Sequence, residues 1–177
     1  SYGGYFWGNA DVTLTRSKMI AKNNLGVEKS STYNVKFTLD NSELQVKAFT
    51  NQGTVELKGN SKVTTITFNN SGNITIGQGT QMTANGNIGN SGKMTVDGTL
   101  VADAQLNTTG TVTVAGTLKH SAYNVENTIN VNGGTMAIRG GYYIEPYIFT
   151  KVIYEDGTTY EHKYRKEKIV SEETAYM

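Results

Sequence analysis

The chain contains no cysteine, and that one absence excludes disulfide frameworks, thiolate metal centres and cysteine nucleophiles together. Histidine is nearly as scarce. His120 and His162 are the only two, and neither has a carboxylate or second histidine at ligand spacing, so no metal site is expected. Charged residues make up 18% of the sequence and the formal net charge is +1, which gives no field to gather nucleic acid or an anionic membrane. No apolar run approaches the ~18 residues of a membrane helix, so membrane insertion is not expected. No GxxxxGK[ST] loop is present, and Gly133-Gly134-Thr135 departs from the GGxGxD of calcium-binding repeats, so no cofactor is expected. Proline occurs once, at Pro146.

What is abundant is glycine, 20 residues in 177, together with Asn, Thr and Val. That composition favours short strands and tight turns over helices. The length suits one domain with a real core.

The turns repeat. NQGTVEL (51–57), NSGNITI (70–76), NSGKMTV (90–96), TTGTVTV (108–114) and VENTINV (125–131) align without gaps. Their third position is Gly53, Gly72, Gly92, Gly110 and then Asn127, at spacings of 19, 20, 18 and 17. Asn is the residue after Gly that best tolerates positive φ, so this column reads as one repeated left-handed backbone conformation. Each segment then alternates with period two, the mark of a half-buried strand. The apolar positions are Val55/Leu57, Ile74/Ile76, Met94/Val96, Val112/Val114 and Ile129/Val131. A second turn follows at Gly59, Gly79, Gly98, Gly116 and Gly133/Gly134, and another strand lies behind it, clearest in Met82-Ala84-Gly86-Ile88 and Leu100-Ala102-Ala104-Leu106. A corner column precedes each repeat: Phe49, Phe68, Ile88, Leu106 and Tyr123.

One such turn cannot bury its inward side chains, whereas stacked turns share a continuous apolar shaft. The reading is therefore all-β: a right-handed parallel β-helix, or β-solenoid, of about 17–20 residues per turn over 34–140. The varying repeat length suits a right-handed coil whose corners absorb insertions. Asn51, Asn70 and Asn90 share a column in which stacked amides would hydrogen-bond along the axis, with Thr108 and Val125 ending the ladder. Phe37-Thr-Leu39 and Leu44-Gln-Val46 read as an earlier turn, Val12-Thr-Leu14 as the start of the first, and 22–32 as a loop.

Residues 1–33 read as an N-terminal cap with a first irregular turn, and 141–177 as a C-terminal cap. Tyr2, Tyr5, Phe6 and Trp7 suit an aromatic lid over the shaft; the sharper alternative makes Tyr5, Phe6 and Trp7 a stacking platform for a sugar ring. Asp156-Gly157 marks a β-hairpin within 151–164, pairing Ile153 with Tyr160 and Phe149 with Tyr164, followed by a polar tail.

With its NSG/NQG…GT[L/M] turns and a ~19-residue rhythm over about 100 residues, the chain resembles right-handed parallel β-helix proteins of bacterial surfaces, such as filamentous haemagglutinin-like adhesins and autotransporter passengers. The resemblance implies an extracellular or cell-surface segment of a larger bacterial protein, non-enzymatic, acting in adhesion or as a spacer. Its partners would be a glycan or a surface protein, and the chain would be a monomer or self-associate. Polysaccharide lyases and hydrolases also use parallel β-helices, and the resemblance implies that such sites need clustered Asp with Lys or Arg. Asp97 and Asp103 are the only aspartates between residues 60 and 135 and fall on different strands, so no matched acid–base pair is expected. A sugar-binding remnant of such an enzyme, and a phage fibre expected as a homotrimer, are the remaining readings. The outward Thr75, Thr95 and Thr113 recommend an ice-binding array, but Glu56 and Asn130 bracket them and Lys93 and Asp97 flank them.

Overall fold

The structure, a computed structural model, describes the backbone at residues 4–125, 128–131, 135–138, 147–154 and 159–165, and side chains at residues 4–119. Within it the chain winds through β1 (Gly4–Phe6), β2 (Asp11–Thr15), β3 (Lys18–Val27), β4 (Lys36–Asp40), β5 (Glu43–Asn51), β6 (Thr54–Lys58), β7 (Lys62–Asn70), β8 (Asn73–Ile76), β9 (Gln81–Ala84), β10 (Ile88–Asn90), β11 (Lys93–Val96), β12 (Thr99–Thr108), β13 (Thr111–Val114), β14 (Thr117–Val125), β15 (Thr128–Val131), β16 (Thr135–Ile138), β17 (Tyr147–Tyr154) and β18 (Thr159–Arg165). The strands form two nine-stranded sheets and coil as a β-solenoid of about 6 turns, with equivalent strands about 19 residues apart. One sheet runs β2-β4-β6-β8-β11-β13-β15-β17-β18; the other runs β1-β3-β5-β7-β10-β12-β14-β16, with β9 between β7 and β12. Every pairing is parallel except β17–β18.

Alternation decides which side chains enter the shaft. In the first sheet Phe37, Val55, Ile74, Met94 and Val112 lie in one register column, with Leu39, Leu57, Ile76, Val96 and Val114 in the next, and all are buried. In the second sheet Leu44 and Val46 point inward, and then so do Phe49 and Asn51. Two inward residues at odd spacing break the period of two, so the strand turns a corner between them. The same corner is a register shift between Ala102 and Gln105 in β12. Just past it runs the corner column expected from the sequence, Phe49–Phe68–Ile88–Leu106–Tyr123, in continuous backbone register. Within it Phe49 and Phe68 lie 5.2 Å apart between ring centroids, and Phe37 of the first sheet meets Phe49 edge-on at 6.5 Å and Phe6 at 5.1 Å. Burial of each Val, Leu or Ile contributes roughly 1.5–3 kcal/mol, which lets several turns offset the cost of ordering the chain.

The glycine column is real, but its cause differs from the expected one. The carbonyls of Gly53, Gly72 and Gly92 accept the N–H of Asn73, Lys93 and Thr111 in the next turn, so the four glycines from Gly53 to Gly110 lie directly above one another. None of them has positive φ. A Cβ on Gly72, Gly92 or Gly110 would instead collide with the carbonyl oxygen of the glycine one turn below. Close approach of backbones, and not left-handed conformation, excludes a side chain here. Asn127 lies outside the described residues in this column. Left-handed conformation is found at Gly8, with φ of 79°, and at the opposite corner, where Arg16, Asn41, Gly59 and Gly79 have φ of 47, 48, 63 and 75°. Gly98 and Gly116, expected to continue that corner, are again sterically required, against Gly77 O and Gly98 O.

Two further readings are corrected. The segment 22–32 was expected to be a loop, yet β3 runs to Val27, because Leu25 and Val27 enter the core after a register shift between Ala21 and Asn24. At the other end β17 and β18 do form an antiparallel pair, but Ile153 faces Thr159, Val152 faces Tyr160 and Ile148 faces Tyr164. The expected register is off by one. Five residues separate Ile153 from Thr159, an odd number that a symmetric two-residue turn cannot span. The Asp156-Gly157 turn, Tyr2, Pro146 and the tail from 166 onward lie outside the described residues.

Candidate functional site

The most ordered polar feature is the asparagine ladder. Asn51 donates from Nδ2 to Asn70 Oδ1 at 2.7 Å, Asn70 to Asn90 Oδ1 at 2.7 Å, and Asn90 to Thr108 Oγ1 at 2.9 Å. All four side chains are buried, and each Asn also donates to a backbone carbonyl of the next turn, at Asn73, Lys93 and Thr111, with Asn70 donating to Gly72 O of its own turn as well. The hydroxyl of Thr108 donates to Gly110 O at 3.3 Å, which closes the ladder where the sequence puts its end. At the other end Asn51 Oδ1 is buried with no hydrogen-bond partner among the described residues, because Val27 stands in register below it.

A second polar column went unread in the sequence. Ser17 N–H donates to Ser42 Oγ, and Ser42 N–H to Ser61 Oγ, both at 3.0 Å. Ser61 Oγ donates to Lys58 O and Thr80 Oγ1 to Gly77 O, so each hydroxyl ties its own corner. The uneven spacing between Ser17 and Ser42 hides this column from a search for a fixed period. Both ladders are structural: they satisfy buried backbone and side-chain groups at the two corners.

Outside the shaft, chemistry is spread thinly. Glu56, Thr75, Thr95 and Thr113 form one outward column, which the backbone register continues to Asn130. Glu56 is held between Lys58 at 2.9 Å and Lys36 at 3.2 Å. These cations, Lys58 foremost, keep its carboxyl below the usual range against the opposing effect of partial burial. Glu43 is likewise lowered, chiefly by Lys18 at 3.1 Å and then by Gln45. Asp97 is half-buried at the end of β11, whereas Asp103 is exposed at the bend of β12. Among the described residues no three His, Asp or Glu side chains gather as metal ligands, and no helix is long and apolar enough to cross a membrane. Backbone register sets His120 level with Ala102, and His162 opposite Thr150.

The N-terminal aromatics separate. Phe6 turns into the shaft and packs against Phe37, so it serves as the lid and is lost to any stacking platform. Tyr5 and Trp7, on either side of it, are 57% and 72% exposed. A shallow groove of about 310 Å³ runs along the bent sheet outside the asparagine ladder, lined by Thr50, Asn69, Ser71, Gly89, Ser91, Asn107 and Thr109 with Asn70 and Asn90 in its floor. A second depression, of about 410 Å³, lies at the serine corner among Arg16, Lys18, Lys62 and Glu43.

No protein-family profile, curated protein or solved structure matches the chain.

Proposed function

We propose that the chain is a non-enzymatic, extracytoplasmic solenoid segment of a bacterial surface or secreted protein, acting in adhesion or as a structural spacer. The observation that supports this reading is the distribution of chemistry along the coil. Inward positions from Leu25 to Leu118 are apolar, or are amides and hydroxyls tied by hydrogen bonds, while outward columns carry Thr, Asn, Ser and isolated charges. Such a body is a rod of about 30 Å, taking ~4.8 Å per turn, with long polar flanks and, among the described residues, no cluster of three metal-ligating side chains. Contact with a glycan or surface protein would be made through many weak hydrogen bonds along a flank. Asp97 follows β11 and Asp103 lies at the bend of β12, on different sheets, which supports this reading over paired acid–base work.

Antibodies against the chain test the surface assignment directly. Labelling of intact, unpermeabilised source cells, removed by external protease, or recovery of the protein from the medium, is the expected outcome. Labelling that appears only after permeabilisation, with none in the medium, would overturn it. Hydrolysis or elimination of a polysaccharide that is lost in Asp97→Ala would overturn the non-enzymatic assignment.

A further inference from the structure

The exposed aromatics and the polar groove share one face of the coil. In β1 Tyr5 pairs with Gly26, and the register continues Gly26–Thr50–Asn69–Gly89–Asn107. Trp7 heads the neighbouring column. Glu28, Gln52, Ser71, Ser91 and Thr109 each donate their N–H to the turn below, at Phe6, Val27, Asn51, Asn70 and Asn90. The two columns flank the inward asparagine ladder on either side, so by alternation both point outward. The groove lies along them, and Tyr5 and Trp7 stand at its N-terminal end.

Two details give this face the character of a ligand track. Gly26 leaves room for the Tyr5 ring to lie on the sheet: a Cβ there would be 2.5 Å from Tyr5 Cδ1. Gly89 interrupts the asparagine column, leaving a notch between Asn69 and Asn107. Among the described residues the two columns carry one charged side chain, Glu28, and no cation.

We propose that this face is a binding track for a neutral linear polysaccharide lying parallel to the coil axis. Tyr5 and Trp7 would stack on a sugar ring at one end, while Asn69, Asn107 and the serines supply amide and hydroxyl partners along about 24 Å, five strand steps of ~4.8 Å. A rise of that size per turn is close to the length of one sugar unit, so successive turns can meet successive rings. This deepens the adhesion reading by naming the ligand class. It fails separately from it: surface labelling without glycan binding would leave the spacer role standing and remove the track.

The test is retention of the whole chain on immobilised polysaccharides: neutral β-glucan, α-glucan, xylan and mannan beside acidic pectin and alginate. Retention by at least one neutral polymer is expected. Tyr5→Ala and Trp7→Ala should each weaken it by about 2- to 10-fold. Gly89→Gln should weaken it more than 10-fold by filling the notch; its Cβ would press only on the amide oxygen of Asn69, which can swing away. Asn69→Ala and Asn107→Ala act on the same track without adding bulk. Thr95→Ala, on the other sheet, should leave binding unchanged, and all variants should keep the parent circular dichroism and melting temperature. Retention by no neutral polymer, retention by acidic polymers only, or binding indifferent to the track variants would each overturn the proposal.

Discussion

Replacing Gly92 by alanine and, separately, by asparagine distinguishes the two physical reasons for which a turn can demand glycine. If the column needed left-handed backbone, asparagine would be tolerated better than alanine. The structure says otherwise: φ at Gly92 is not positive, and its Cβ would strike Gly72 O, with Gly72 N and Ser71 C close behind. All three are backbone atoms pinned between stacked turns, so the coil must open locally. Overpacking of this kind costs about 1–3 kcal/mol. The strain falls on Gly92 N–H to Asn70 O and Lys93 N–H to Gly72 O, whose weakening adds about 0.5–1.5 kcal/mol each. Gly92→Ala and Gly92→Asn should therefore both lose about 2–6 kcal/mol, with a fall in melting temperature of roughly 10 °C. Gly59 is the internal control. Its φ is 63° and the obstructing atoms are the side-chain end of Asn41, which can move, so Gly59→Asn should lose about 1 kcal/mol or less. Thermal and urea unfolding followed by circular dichroism measure both. Asparagine well tolerated at Gly92 would refute the steric account.

Three further outcomes follow from the ladders and charges. Asn70→Leu removes two amide–amide bonds and leaves Asn90 Oδ1 without its donor, so a loss of about 2–5 kcal/mol is expected in urea unfolding. Val27→Thr places a hydroxyl beneath the unpartnered Asn51 Oδ1 and should be at least about 1 kcal/mol less destabilising than Val55→Thr, whose hydroxyl meets only the apolar shaft. Glu56 lies below its ordinary 4.5 in the folded chain, so its contribution is present above that pH and lost as pH falls through the folded value. Stability measured against pH should show the parent exceeding Glu56→Gln by about 1 kcal/mol or less near neutrality, with the gap closing in acid.

The core was legible in the sequence because inward positions recur with two periods at once, every second residue and every turn. Val55, Ile74, Met94 and Val112 could be aligned from either. The Asn51–Asn70–Asn90–Thr108 ladder was legible for the same reason, since its members occupy a fixed place before the glycine. What escaped was geometry that a one-dimensional repeat does not carry. A glycine required by a carbonyl one turn below looks the same in sequence as one required by φ. Ser17 and Ser42 are separated by an inserted segment, and the Leu25–Val27 strand end follows a bulge that breaks alternation. The shared face of Tyr5 and Asn69 was invisible because β1 joins the sheet outside the regular spacing. Position along the coil was readable; closeness between turns was not.

Stacking itself can be tested by cross-linking, since the chain has no cysteine of its own. Thr75 and Thr95 are register partners, as are Thr95 and Thr113, so their Cα atoms should lie one strand step of ~4.8 Å apart, within disulfide range. Thr75 and Thr113 are two steps apart, about 10 Å, beyond it. Double-cysteine variants oxidised in dilute solution should close for the two neighbouring pairs and stay open for the skipped pair. Closure of Thr75→Cys with Thr113→Cys, or failure of both neighbouring pairs, would contradict the stacked coil.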